Sequence, residues 1–183
     1  YPFSPPTLKY LTNDGSTRFN PNLYRSGKVC ISILNTWKGE QWTSCQTIRS
    51  VLLTLVTVLN ETPLINEPGI SKTHSDVKRY NDYIKYKNYE VAMYNVLSKR
   101  CLPNKHISFY PLIKKHFKEN QKNILHNLKK DMKKYENKLA KIDDDLIESE
   151  RYYKTRIYNM CCLPDYEKLT KSLEKEFNNI KLK

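Results

Sequence analysis

The amino-acid sequence predicts an α+β chain in two parts, a mixed region over residues 1–100 and a basic helical extension over residues 101–183 folded as a helical hairpin. Three observations carry this prediction. Apolar and polar residues alternate over residues 28–34, as in a strand with one buried face. Ile48, Val51, Leu52, Leu55, Val56 and Leu59 recur at helical spacing. From Ser108 onward the composition turns lysine-rich, with apolar residues stepping by three and four.

Composition narrows the class. The chain has 183 residues, 39% hydrophobic and 28% charged, enough apolar material for a moderate core. No apolar run approaches the length that spans a bilayer and no signal sequence is present, so a cytoplasmic or nuclear chain without membrane contact is expected. Five cysteines at irregular spacing argue against a disulfide framework. Cys161 and Cys162 are adjacent, too close for the usual disulfide geometry, and no paired Cys/His spacing suggests zinc. No metal site is therefore expected. The net charge of +13 is lopsided, with 21 of the 32 basic residues after residue 98. Solvated lysines on exposed helix faces explain this more simply than nucleic acid, since no nucleic-acid motif or interleaved stacking aromatics accompany them.

In chain order, Tyr1, Pro2, Phe3, Ser4, Pro5 and Pro6 make an extended start that excludes helix. Residues 8–11 read as a short strand, closed by a turn at Asn13, Asp14, Gly15 and Ser16. The strand over residues 28–34 leads to a loop carrying Trp37 and Trp42, of which Trp42 reads as a packing anchor. Thr43 or Ser44 would cap a helix reaching Leu59 with one buried face, although its many β-branched residues keep a strand open as the alternative. Pro63 and the run Asn66, Glu67, Pro68 and Gly69 break that element. A tyrosine-rich helix over residues 76–99 turns Tyr80, Ile84, Val91, Tyr94 and Leu97 to the core, and residues 101–104 end it. Leu125, Leu128, Met132, Tyr135, Leu139, Ile142 and Leu146 form a heptad-like seam. Residues 143–145 and Pro164 punctuate the remainder of the chain, and a last helix aligns Tyr166, Leu169, Leu173, Phe177 and Ile180. Burying the two stripes against each other or on the main domain is more economical than self-association, because the seam is short for a coiled coil, so a monomer is expected.

The candidate centre is Cys30. An Asn20, Pro21, Asn22 turn lies eight residues before it, rigid enough to aim the Asn22 amide, while the strand would bring the thiol to a sheet edge. By itself a free cysteine is more often a small buried hydrophobe. Glu67, ahead of a proline in a constrained loop, is by itself a surface charge or a positioned acid/base group.

The start at Tyr1, the Phe19 to Asn22 turn, Gly27, Lys28, Val29 and Cys30 with the following Ser, Ile and Leu, the two tryptophans, and Asn66 to Gly69 together resemble ubiquitin-conjugating enzymes, in particular the Z-type. The resemblance implies the ubiquitin-conjugating fold, with a short antiparallel meander sheet, over residues 1–100. It also implies that the family's N-terminal helix and first strands are missing here, an N-terminal truncation that would leave a sheet edge uncovered. It implies that Cys30 accepts ubiquitin or a ubiquitin-like protein from an activating enzyme as a thioester and passes it to a lysine of a protein substrate. Asn22 would then stabilise the oxyanion or hold the nearby loop, and Tyr24 and Glu67 would shape the pocket and help deprotonate the lysine. Phe3, Thr43, Ser44 and Cys45 fall where family members meet ubiquitin ligases. The alternative is a non-catalytic interaction module of the same pathway.

Overall fold

A computed structural model describes residues 1–100, 104–142 and 148–180. The ordered elements are α1 (Ile48–Val58), α2 (Asp76–Lys87), α3 (Tyr110–Leu139), β1 (Tyr153–Lys154), β2 (Cys161–Cys162) and α4 (Tyr166–Asn178). This is an α+β architecture whose helices outweigh its strands.

The N-terminal strands are shorter than expected. Residues 8–11 and 28–34 meet at one isolated antiparallel bridge, Lys9 with Lys28, while Val29 is bridged to Leu23 and residues Ser32–Leu34 wind into a 3-10 turn. The cause is local. The Thr36 hydroxyl accepts from the Ile31 amide at 3.0 Å and lies 3.0 and 3.1 Å from the Val29 and Ile31 carbonyls, taking up groups a neighbouring strand would use. The alternating side chains still serve a core, because Leu23, Val29, Ile31, Ile33 and Leu34 pack with Trp42 and Val51. Trp42 is pinned as well as buried, its indole N–H donating to the Pro2 carbonyl at 2.6 Å. Gly27 is needed at its turn: it has φ +88°, and a Cβ there would lie 2.8 Å from the Tyr10 carbonyl oxygen.

Helix α1 forms, and the strand alternative does not, but it starts later than expected. Thr47, not Thr43 or Ser44, is its N-cap, in a reciprocal capping box with Ser50. Its expected apolar face is also divided. Val51 is buried and Leu55 and Val58 pack beside it, whereas Ile48, Leu52, Leu53, Val56 and Leu59 are exposed. The stepping 51, 55, 58 is the row that meets the core; the other apolar residues face outward.

Helix α2 runs on through a π-helical stretch, Asn88–Tyr94, and a last turn, Asn95–Leu97. The wider winding rotates the buried face along the rod. Tyr80 and Tyr83 join one cluster with Leu64, Val77 and Met160, while Tyr86, Tyr89 and Leu97 join another with Phe117, Leu128, Leu169, Leu173 and Phe177. Tyr80, Val91 and Leu97 are buried as expected, Ile84 and Tyr94 only partly, and the periodicity did not single out Tyr83, Tyr86 and Tyr89, which are also buried.

Helices α3 and α4 pack antiparallel. Tyr135 meets Tyr166 and Lys129 pairs with Glu174, so rising numbers in α3 face falling numbers in α4. Leu128 of the seam is buried, with Leu125, Met132 and Tyr135 beside it; Leu146 and residues 143–145 lie outside the described residues, as does most of the expected break at 101–104. Asp131 ties α3 to α2, accepting from the Lys85 ammonium at 2.7 Å and the Tyr89 hydroxyl at 2.9 Å. Between the helices, β1 and β2 form a two-residue antiparallel ladder that the sequence pattern does not announce.

Candidate functional site

The turn at Asn20, Pro21 and Asn22 is built by its own side chains. The Asn20 carboxamide oxygen accepts the Asn22 amide at 2.9 Å, and the Leu23 amide donates to the Asn20 carbonyl at 2.9 Å. Asn20 is fully buried, and its side-chain N–H donates to the Val58 carbonyl at 2.9 Å, at the end of α1. Asn66 donates to the same carbonyl at 3.0 Å. A helix C-terminus leaves carbonyls without intrahelical partners. One of them here fastens both the Asn22 turn and the loop that carries Glu67.

Cys30 is held against the turn by a reciprocal pair: its amide donates to the Asn22 carbonyl at 2.8 Å, and the Asn22 side-chain amide donates to the Cys30 carbonyl at 2.6 Å. Asn22 is buried, and its side-chain oxygen has no hydrogen-bond partner. Cys30 is 2% exposed and lies beyond the bridged residues, not at the edge of an extended sheet.

Tyr24 and Glu67 converge on a residue from far along the chain, Tyr158. The Arg18 guanidinium lies 3.8 Å from the Tyr24 ring centre and 4.3 Å from that of Tyr158, sandwiched between them, with its Nη2 donating to the Pro21 carbonyl at 2.6 Å. The Tyr158 hydroxyl donates to Glu67 Oε2. Burial, then the bond to Glu67, pushes the Tyr158 phenol far above its ordinary pKa, so it remains a donor. Arg18, Tyr24, Arg25, Ser26 and Tyr158 line a cleft of 290 Å³.

The loop bearing Tyr158 is fixed from several sides. Buried Asp76 accepts the Arg156 and Ile157 amides at 3.1 and 2.8 Å, the Thr155 hydroxyl donates to the Ile157 carbonyl at 2.7 Å, and Arg25 donates to the Tyr158 carbonyl at 2.7 Å. Tyr158 and Asn159 both have positive φ, 67° and 48°. A tyrosine in the left-handed region costs about 1–3 kcal/mol and persists only where its surroundings over-determine it. Sequence reasoning missed Tyr158 and Arg18: no local pattern links positions so far apart, and an arginine between two rings looks like any surface charge.

Phe3, Thr43, Ser44 and Cys45 are all exposed. The Trp42 bond to Pro2 brings the two stretches onto one surface. Among the described residues, no group of three or more His, Cys, Asp or Glu is placed to hold a metal, and no helix is long and apolar enough to cross a membrane.

Residues 1–91, which include Cys30, Asn22, Tyr24 and Glu67, match the sequence model of the family described as ubiquitin-conjugating enzyme, and through them the chain belongs to that family. Within it the likeness is to the Z-type. Ubiquitin-conjugating enzyme E2 Z of Xenopus tropicalis is 44% identical over 104 residues, covering 55% of this chain and 33% of that one. The Homo sapiens protein of the same name is 42% identical over 104 residues, 55% and 29% of the two chains, and that of Danio rerio 44% over 100 residues, 53% and 30%. The chain thus spans about a third of the length of these curated relatives.

Proposed function

We propose that this chain is the catalytic part of a ubiquitin-conjugating enzyme, with Cys30 as the residue that carries ubiquitin or a ubiquitin-like protein as a thioester. The observation that carries this reading is the reciprocal bonding of Cys30 to the Asn22 turn within the segment matched to the family, on the helix end that also holds the Glu67 loop.

In charging, the Cys30 thiolate attacks the thioester carbonyl presented by an activating enzyme, and the activating enzyme's thiolate leaves. In transfer, the ε-amine of a substrate lysine attacks the new thioester, the C–N bond forms, the C–S bond breaks and Cys30 departs as thiolate. A thiolate needs no forced protonation to leave, so no dedicated histidine is required. The Asn22 amide, engaged on the Cys30 carbonyl, keeps the nucleophile's backbone in register, and its second N–H is the candidate donor to the oxyanion. Tyr24 walls the site, and Glu67 takes the proton from the lysine. A ligase would dock on Phe3 and on Thr43, Ser44 and Cys45. A monomer working in the cytoplasm or nucleus fits this role, with nucleic acid outside it. Because Cys30 is covered, its cover must shift before it is charged.

Incubation with activating enzyme, ATP and ubiquitin should yield a reductant-sensitive adduct that disappears in Cys30→Ser. A reductant-sensitive adduct that persists in Cys30→Ser, or no adduct with the wild-type chain, rejects the reading.

A further inference from the structure

Tyr158 has one polar side-chain atom, and the fold commits it to Glu67. Its backbone is held in the left-handed region by Asp76 from α2 and Arg25 beside the Asn22 turn, and its ring packs on Arg18, whose partner Tyr24 follows that turn. A surface tyrosine with a merely structural role needs neither the strained backbone nor this aim. The carboxylate it contacts is half-buried in a loop rigid through Pro68 and anchored through Asn66.

We propose that Tyr158 is a positioning residue of the transfer site, holding Glu67 by one oxygen so that the other faces the attacking lysine. The inference rests on the thioester reading above and extends the site beyond the segment matched to the family, into the loop between β1 and β2. In the step concerned, the lysine nitrogen bonds to the thioester carbonyl carbon and Cys30 sulfur leaves with the C–S electron pair. The ammonium proton goes to Glu67 Oε1 and from there to water, while the Tyr158 hydroxyl stays on Oε2 throughout. Attack by a thiol places no such demand, because a thiolate arrives already deprotonated.

The difference between amine and thiol supplies the test. The full chain is loaded without an activating enzyme, using ubiquitin whose C-terminus is a 2-mercaptoethanesulfonate thioester; the Cys30 thiolate displaces mercaptoethanesulfonate. The purified adduct is then discharged with free lysine or with glutathione, and the ratio of the two rates is read. Tyr158→Phe keeps the ring on Arg18 and removes only the hydroxyl. It should lower the lysine-to-glutathione ratio about tenfold, the scale of losing orientation of a reacting group. Glu67→Gln should lower it at least as far, and the double variant no further than Glu67→Gln alone, since both changes remove one coupled unit. An unchanged ratio in Tyr158→Phe, or a double variant whose loss is the product of the two single losses, overturns the inference while the adduct upholds the thioester reading. Failure of the wild-type chain to form a reductant-sensitive adduct overturns both.

Discussion

Four cysteines among the described residues sit in different surroundings, and their reactivities should separate accordingly. Cys45 and Cys161 are exposed, Cys30 is covered, and the half-buried Cys162 thiol is pushed up to about 12, first by burial. Since the thiolate is the reactive form and must also be reached, N-ethylmaleimide at neutral pH should label Cys45 and Cys161 first. Cys30 should lag because it is covered, and Cys162 because it stays protonated. Peptide mapping by mass spectrometry at short times reads the order. Labelling of Cys30 as fast as Cys45 would mean that its cover is absent in solution. The same covering makes Asn22 consequential: a buried asparagine bonding to a neighbouring backbone holds the Cys30 main chain in place.

Among the elements, the loop between β1 and β2 takes two of its backbone bonds from one carboxylate. Asp76 is completely buried and accepts two amides of that loop. Asp76→Ala leaves both amides without that acceptor, at a cost of about 1–3 kcal/mol or more, because a donor withdrawn from water must be satisfied. Urea unfolding should show a lowered midpoint, and an unchanged midpoint would contradict the assignment. Asp76→Asn, which retains one acceptor oxygen, should lose less. How legible each element is in the sequence depends on where its determinants lie. Helix α2 with its continuation to Leu97, and helix α4, are legible because Tyr80, Val91, Leu97, Leu169, Leu173 and Phe177 repeat within their own segments. The strand pattern over residues 28–34 identifies the buried side chains Val29, Ile31 and Ile33 but not the ladder, since strand pairing depends on neighbours and here Thr36 takes up the backbone groups. Helix α1 is legible as a helix, whereas which of its two apolar rows meets the core depends on packing. The proximity of Asn22 and Cys30 is legible because a turn joins them; the meeting of Glu67 with Tyr158 joins positions 91 residues apart and leaves no local trace.

At the scale of the whole molecule, tyrosines join its parts. The sequence has 14 tyrosines. Tyr86 of α2 packs edge-on to Tyr153 of β1 and Tyr166 of α4, and Tyr135 of α3 contacts the same two rings. The hydroxyls are satisfied within the protein: the Asp165 amide donates to Tyr86, Tyr135 donates to the Arg151 carbonyl, and Tyr153 and Tyr166 bond to each other. Burial, the largest cause, pushes Tyr86 and Tyr153 from the ordinary value of 10.0 up to about 12, with Tyr166 higher still. The folded state therefore binds these protons more tightly than the unfolded chain does. Such groups contribute stability that is fully present below the unfolded value of 10.0 and is lost as pH rises through about 12. Stability should accordingly be level with respect to these tyrosines up to pH 10 and fall steeply above it. Absorbance at 295 nm should show the exposed tyrosines ionising first and the buried ones only together with loss of helical circular dichroism. Tyr166→Phe keeps the aromatic packing but removes one of these titrating hydroxyls, so its helical signal should survive to higher pH. Ionisation of all tyrosines near pH 10 with the helices intact would mean that the aromatic cluster is open to water and does not hold α2, α3 and α4 together.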